Sequence, residues 1–501
     1  MSLVSDQAQH VQSQSFFSWR WFFVLSVMAA VATVLFGPIC IVVLVVLFLG
    51  YSIYVKPEIG LYIMVALSPM IGLTVTPDSV FSWLGFLHTP WSWYAPLVDV
   101  WTLFFLLVFF IRTCVDLLQT KEKRIILPGV WWYLAFLISA YVSLLHLPHE
   151  LFSDGVKYLI RFPLFVYVGY IVVGINTITR KSILLHALRV FFFVGLFAAI
   201  LGVSSLLVNA YHVMGLTRAV PISLFGVNFF NFSNDIRFGH ILLAEFLTLV
   251  LPVGIYLMYT AQAVQSRRWY ALGSFFVFLV CILTFSRAGW LTLGFQVFLG
   301  ALVLRRQIPW QQVYRWVPVG LLCLSVPIWY MSLFLQSSIV SSSNSARLAL
   351  TEIGWHFFLD RPLFGQGVGM YTVLLKDVFY FTSQFGDPID AHSIFTKISA
   401  EQGMFGLVTF GLFVLWVLHV IFRRLIDESF SDEARMAAIV SLFLVMTPLF
   451  FQLFNTQYYS ARMWVPFLFA MGLSIVHKTD KRLSSISISF VEKKSAVDIN
   501  F

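Results

Sequence analysis

His392 and Arg287, both in the second half of the sequence, have types and positions that suggest chemistry. His392 stands at the predicted start of the longest helical run. Because a helix N-terminus disfavours a protonated imidazole, it is a candidate general base, although a lone histidine is more often a packing residue. Arg287 is the only charged residue of Trp269–Leu304, in the tight turn that must divide this segment into two passes. The low dielectric constant there would strengthen its attraction for an anion, whereas snorkelling would explain it equally well.

These residues must be positioned by membrane helices. The 501-residue chain is 59% hydrophobic and 11% charged, whereas soluble domains carry about 25% charged residues. Windows of about 20 apolar residues predict an all-α, polytopic membrane protein with about fourteen spans. The predicted spans are Trp19–Phe36, Pro38–Val55, Ile59–Thr76, Pro96–Val115, Pro128–His146, Tyr158–Thr177, Leu184–Val208, Gly239–Gln262, Trp269–Phe285, Gly289–Leu304, Arg315–Phe334, His392–Phe422, Ala434–Gln452 and Ala461–Val476.

The spans divide the chain into five parts. The polar N-terminus has no basic region or cleavage site typical of a signal peptide, so the first apolar segment is expected to be retained. The predicted parts are a cytoplasmic N-terminus (1–18), helices one to eleven (19–334), a large periplasmic loop with short helices (335–391), the last three helices (392–476) and a cytoplasmic tail (477–501).

The basic residues orient these spans. With the N-terminus in the cytoplasm, most of the 32 lysines and arginines lie inside, as the positive-inside rule requires. The net charge of +9 is thereby explained by topology and predicts no nucleic-acid partner. As a group, the basic residues left outside suggest an anionic ligand there, while each alone is better explained by snorkelling or ion pairing. They are Lys157, Arg161, Arg218, Arg237, Arg287, Arg347, Arg361, Lys376, Lys397 and Arg462.

The outer loop, Leu335–Ala391, is predicted to have structure of its own. Serines in 341–345 predict a cap, followed by a helix over Ala346–Leu359 that lies along the membrane surface because it mixes charged and aromatic residues. The glycine cluster Gly365–Gly369 predicts a tight turn, because no strand precedes it as a dinucleotide site would require.

Three segments, taken in order, carry a resemblance to a known family. They are LTFSRAGWLTL (Leu283–Leu293), SARLALTEIGWHFFLDRPLFGQGVGMY (Ser345–Tyr371) and HSIFTKISAEQGMFG (His392–Gly406). Together with the long outer loop they resemble the O-antigen ligases and Wzy-type O-antigen polymerases. The resemblance covers mainly Ser286–Gly406.

The resemblance implies an activity and a set of site residues. Family members are metal-independent glycosyltransferases that pass a glycan from undecaprenyl diphosphate to an acceptor hydroxyl at the periplasmic face of the bacterial inner membrane. By position, Arg287 and Arg347 would hold the diphosphate, His392 would activate the acceptor, and Gly403 would complete an H-x10-G spacing. Arg237, at the outer mouth of the eighth span, is a further candidate for the diphosphate cavity. The implied partners are the lipid-linked donor, a lipid A core or glycan acceptor, and membrane lipids, with no cofactor.

The residue types fit this chemistry. Inverting displacement at an anomeric carbon needs a base for the incoming hydroxyl and positive charge on the diphosphate leaving group. Arginine binds phosphate oxygens bidentately and keeps its proton. A divalent metal could replace it, but the outer segments contain no DxD or HExxH motif, so metal independence is the simpler interpretation.

Several functions remain open at this point. A ligase would act on lipid A core in lipopolysaccharide biosynthesis, and a polymerase on another lipid-linked chain. The 45-residue spacing of Arg347 and His392 favours a ligase, whereas the span count favours a polymerase. A protein O-oligosaccharyltransferase would share the chemistry. A transporter is disfavoured because no internal repeat is evident and the charges gather on the outer face. Glu245, a carboxylate within the eighth span, could serve function or pair with an arginine.

Overall fold

A computed structural model describes most of the chain. The described residues are 39–70, 74–75, 95–119, 125–208, 223–224, 227–228, 240–284, 286–305, 318, 338–427, 430–456 and 458–476. The predicted spans Trp19–Phe36 and Arg315–Phe334, both cytoplasmic termini and the candidate Arg237 lie outside them.

The described chain is a bundle of α-helices. Its first half contains α1 (Ile39–Val55), α2 (Pro57–Leu67), α3 (Leu97–Leu118), α4 (Val130–Leu144), α5 (His149–Thr177) and α6 (Lys181–Val208). Its second half contains α7 (His240–Thr260), α8 (Val264–Leu283), α9 (Arg287–Val303), α10 (Ser338–Asp360), α11 (Tyr371–Leu375), α12 (Phe379–Phe385), α13 (Ile394–Ile426), α14 (Asp432–Phe451) and α15 (Ala461–Val476). Helix α5 becomes π-helical over Phe162–Val173.

Two very short antiparallel sheets accompany the helices. Strand β1 (Thr74–Val75) pairs with β2 (Ala95–Pro96), with Thr74 opposite Pro96. Strand β3 (Ser223–Leu224) pairs with β4 (Val227–Asn228), with Ser223 opposite Asn228. Each strand has two residues, so the helical class is unchanged.

Many helices are long enough to cross a membrane. In the described residues, seven qualify by length and composition, and α1 with α2 counts as an eighth if this pair, bent by 115°, is one span. Helices α4, α9 and α15 are apolar but shorter. Every predicted span within the described residues overlaps one of these helices. The polytopic helical fold is therefore confirmed, and the number fourteen stays a prediction.

The bend between α1 and α2 follows from the sequence Lys56-Pro57. A proline disfavours helical geometry in the residue before it but suits the first position of a new helix. Lys56 accordingly has φ −128° and ψ 84°, and Pro57 begins α2.

Helices α7 and α15 lie at the centre of the bundle. Every residue of α15 except Ile475 is buried, and so are most residues of α7. A helix that is apolar on nearly all sides is stable in a protein core or in contact with lipid, and these two helices occupy the core. Helix α13 packs along α4, α10 and α14 beside this core.

The outer loop forms its own small core. Buried residues of α10, α11 and α12 cluster against Ala391 and the first turns of α13. Helix α10 begins at Ser338, so the prediction that serines 341–345 cap a helix starting at Ala346 is wrong. The Ser345 hydroxyl donates to the Ser341 carbonyl at 3.0 Å, which satisfies a serine inside a helix.

Helix α13 is broken at Gly403. This glycine has φ 65° and ψ −158°, so the predicted continuous helix from His392 to Phe422 is wrong, and the run spans Ile394–Ile426 in two segments. The loop fills the break: Met404 N–H donates to the Pro362 carbonyl at 2.8 Å. The glycine turn Gly365–Gly369 also bonds to the backbone next to the break: Gly367 N–H donates to the Glu401 carbonyl at 2.9 Å.

The glycines themselves make this docking possible. Gly365, Gly367 and Gly369 all have positive φ, which confirms the predicted turn. A Cβ at Gly403 would lie 2.5 Å from the carbonyl of Leu363. The break in α13 and the outer loop therefore stabilise each other.

Candidate active site

His392 lies in a strained backbone conformation just outside α13. Its φ of 53° is the only positive value at a non-glycine residue in the described chain. Such strain costs about 1–3 kcal/mol and is often found at functional sites. The helix begins two residues later, where Ile394 N–H donates to the Gln452 carbonyl at 2.9 Å. The prediction that His392 itself opens the helix is therefore wrong by two residues.

The surroundings of His392 favour a neutral ring. Burial lowers the pKa of His392 below its ordinary value of 6.5, and the positive charge of Arg347 lowers it further. The carboxylate of Asp390 acts in the opposite direction. The imidazole is accordingly uncharged at neutral pH, as a general base must be.

Arg287 is joined to the outer loop by a side-chain hydrogen bond. It is the first residue of α9, after Ser286, whose hydroxyl accepts from Gly289 N–H at 3.2 Å and caps the helix. Arg287 Nη1 donates to Asn344 Oδ1 at 2.7 Å. Asn344 lies on α10 one turn before Arg347. Arg287 of α9 therefore contacts the helix that carries Arg347. The charge of Arg347 in turn lowers the pKa of His392.

The other outer basic residues mostly have partners of their own. Lys157 pairs with Asp154 (2.9 Å), Arg161 with Asp99 (2.5 Å), Lys397 with Asp390 (2.7 Å) and Arg462 with Glu245 (3.3 Å), and Arg361 donates to the His146 carbonyl (3.1 Å). Arg218 and Arg237 lie outside the described residues. For Arg287, no carboxylate partner is present in the described part of the chain, and its contact with Asn344 is with a neutral amide. Among the basic residues predicted to lie outside, Arg287 is therefore the best-supported candidate for binding an anion.

A largely buried ion network joins the loop just before His392 to α13. Lys397 Nζ is 2.7 and 2.8 Å from the two carboxylate oxygens of Asp390 and 3.8 Å from Glu401 Oε1. The Lys397 side chain is 4% exposed and that of Glu401 is 1% exposed. Asp390 Oδ1 also accepts from Ala391 N–H at 2.9 Å. Asp390 is two residues before His392, so this network holds the strained segment against α13.

Aromatic side chains complete the network. Lys397 Nζ lies 5.4 Å from the centre of the Tyr158 ring and 5.6 Å from that of Tyr459, distances typical of cation–π contacts. Glu401 Oε1 accepts from Tyr371 N–H at 3.1 Å, and Glu401 Oε2 accepts from the Tyr458 hydroxyl at 3.4 Å. The charges are thus paired and hydrogen-bonded, as burial requires.

Glu245 has a structural partner. Its carboxylate accepts from Gln452 Nε2 at 2.8 Å, from Asn455 Nδ2 at 3.3 Å and from Arg462 Nη1 at 3.3 Å. Because the Gln452 carbonyl also accepts from Ile394 N–H, this network supports the start of α13. The alternative that Glu245 pairs with an arginine is confirmed.

Comparison with known proteins identifies the segment that carries these residues. Residues 272–411 match the family model described as O-antigen ligase. This segment is an O-antigen ligase family domain. The resemblance predicted from the sequence is confirmed, and the domain contains Arg287, Arg347, His392 and Gly403 but neither Arg237 nor Glu245.

A curated relative supports the O-antigen ligase/polymerase assignment. The chain is 32% identical over 108 residues to the teichuronic acid biosynthesis protein TuaE of Bacillus subtilis. The match covers 21% of this chain and spans only 22% of that relative's length. Together with the domain, it supports a polytopic membrane protein of the O-antigen ligase/polymerase family.

The Asp390–Lys397–Glu401 network was missed in the sequence. Lys397 and Glu401 have the i, i+4 spacing of a helical ion pair, which was a usable signal. Asp390 lies in the loop, and nothing in its spacing predicts that it reaches Lys397. No group of three or more metal-ligating side chains occurs within the described ranges. Metal independence nevertheless stays a prediction.

Proposed function

We propose that this protein transfers a glycan from undecaprenyl diphosphate to an acceptor hydroxyl with inversion at the anomeric carbon. His392 is the general base, and Arg287 and Arg347 bind the diphosphate. The observation that carries the proposal is the hydrogen bond from Arg287 to Asn344 on α10. The same helix carries Arg347, whose charge lowers the pKa of His392. We place the protein in the bacterial inner membrane, with this site facing the periplasm.

The displacement is a single concerted step. The acceptor hydroxyl gives its proton to a ring nitrogen of His392 while its oxygen forms a bond to the anomeric carbon. The bond from that carbon to the diphosphate oxygen breaks, and undecaprenyl diphosphate leaves as an anion. The guanidinium groups of Arg287 and Arg347 stabilise its developing charge by bidentate hydrogen bonds.

Arg347 links donor binding to the strength of the base. In the free protein its charge lowers the pKa of His392. A bound diphosphate cancels part of that charge, so the pKa of His392 rises when the donor binds. The histidine then accepts the acceptor proton more readily, and premature protonation without donor is disfavoured.

Polymerisation of a surface polysaccharide is the second candidate. The relative is named for teichuronic acid biosynthesis, not for lipopolysaccharide. The same three residues would serve if the acceptor were a second lipid-linked glycan. Transfer to lipid A core, as in a ligase, differs only in the acceptor.

The test is product formation by the purified protein. It is incubated with undecaprenyl-diphosphate glycan and, in parallel, with lipid A core, a second lipid-linked glycan or a serine-containing peptide, each with EDTA present. We expect a glycosylated product with one of the first two acceptors. Transfer only to the peptide would assign a protein oligosaccharyltransferase, and no transfer to any acceptor would contradict the proposal.

A further inference from the structure

A cavity of about 710 Å³ lies at the opposite end of the helices from His392. Helix α5 shows the separation: Tyr158 and Arg161, in its first half, lie beside the Lys397 network, whereas Asn176 and Thr177 at its end line the cavity. With 29 residues, α5 is long enough to cross a bilayer. The cavity therefore opens at the other membrane face, which the positive-inside rule assigns to the cytoplasm.

Three basic residues from separate elements surround this cavity. Lys56 comes from the bend between α1 and α2, Arg112 from α3, and Arg180 from the turn between α5 and α6. Glu58 and Asp116 also line it. No ion pair joins any of the three cations to a carboxylate of the residues that the structure describes.

Arg112 gives the strongest indication that this cavity binds an anion. Its Nη1 atom is buried and has no hydrogen-bond partner within the described ranges. An unsatisfied buried guanidinium nitrogen is unfavourable, so an acceptor belongs there. Nearby Lys181, by contrast, has a carboxylate 2.5 Å away on Glu433.

The wall also contains apolar side chains, next to the polar residues Asn176, Thr177, Thr179, Ser182 and His186. Val55, Ile59, Phe109 and Ile183 line the same cavity. A ligand that matches both the basic and the apolar lining residues has an anionic headgroup and a hydrocarbon chain. Basic pockets between membrane helices on the cytoplasmic side are typical sites for phosphate-bearing lipid headgroups.

We propose that this cavity binds the phosphate group of an anionic glycerophospholipid from the cytoplasmic leaflet. Arg112 Nη1 donates to a phosphate oxygen, Lys56 and Arg180 contribute charge from the rim, and the acyl chains lie against Ile59 and Phe109. The site is separate from glycan transfer, and its test uses lipid retention alone.

The experiment measures lipid binding by native mass spectrometry of the purified full chain. Phosphatidylglycerol is compared with phosphatidylcholine, which carries the same phosphate without net charge. We expect preferential retention of phosphatidylglycerol, about fivefold weaker in each of Arg112→Gln and Arg180→Gln. Arg180 is exposed, so its variant remains informative if Arg112→Gln fails to fold. The control Arg268→Gln changes an exposed basic residue of α8 that does not line the cavity.

Three results would overturn the proposal. Equal retention of the two lipids would remove the requirement for net charge. Unchanged retention in both variants would place the lipid elsewhere. Displacement of phosphatidylglycerol by inorganic phosphate at an equal concentration would show that the cavity takes a free phosphate ion instead of a lipid.

Discussion

Arg287 Nη1 donates a 2.7 Å hydrogen bond to Asn344 Oδ1, and this bond connects the start of α9 to the outer helix α10. The two residues are 57 positions apart in the sequence. Since Asn344 precedes Arg347 by one helical turn, the bond brings the two arginines of the family domain together. The site is thus assembled by contacts between the membrane helices and the loop.

Arg287→Lys tests whether the guanidinium fork is required. Lysine keeps the charge but binds phosphate as a single point, so we expect kcat/KM for glycan transfer to fall about 100-fold. Lys157→Ala is the control, because Lys157 is an exposed basic residue paired with Asp154. Transfer by Arg287→Lys at the rate of the unchanged protein would mean that Arg287 only snorkels.

The pH dependence of transfer reports the protonation of His392. Because the base must be neutral, kcat/KM should be constant at high pH and fall as the pH drops below the pKa of His392, which lies below 6.5. The fall of kcat at low pH should begin at a higher pH than the fall of kcat/KM, because the bound diphosphate offsets the charge of Arg347 and so raises the pKa of His392. Coincident limbs in the two profiles would contradict the proposed link between donor binding and basicity.

Two neutralising variants should move the pH limb in opposite directions. Arg347 lowers the pKa of His392 and Asp390 raises it. In profiles of kcat/KM against pH, Arg347→Gln should shift the limb to higher pH and Asp390→Asn to lower pH. A loss of activity without these shifts would indicate that the residues have only structural roles.

Gly403→Ala tests the docking of the loop at the break in α13. The backbone has φ 65° and the new Cβ would lie 2.5 Å from the Leu363 carbonyl, so we expect a loss of about 2 kcal/mol or more in stability. Thermal unfolding in detergent measures this change. Gly411→Ala is the matched control on the same helix, since a Cβ there meets nothing within 4 Å. Equal melting of the two variants would argue against the docking role.

Much of the fold could be predicted from the sequence because long apolar windows have few alternatives in a membrane. Helices α6 and α15 begin and end within a few residues of their predicted limits. The start of α10 could not be predicted from the sequence, because a run of serines can either cap a helix or continue one, depending on its local hydrogen bonds.

The site could be predicted only in part. The residue types and the family resemblance indicated Arg287, Arg347 and His392. The break at Gly403 could not be foreseen, because glycine is tolerated inside a helix and its positive φ here depends on the packing of Leu363. The strained backbone of His392 likewise depends on contacts from distant parts of the chain.

The most direct test of the central claim is single-turnover glycan transfer by His392→Ala, measured with purified protein saturated with undecaprenyl-diphosphate glycan. The proposal predicts unchanged donor binding and a rate at least about 100-fold lower than that of the unaltered protein. Transfer by His392→Ala at the rate of the unaltered protein would contradict the assignment of His392 as the base.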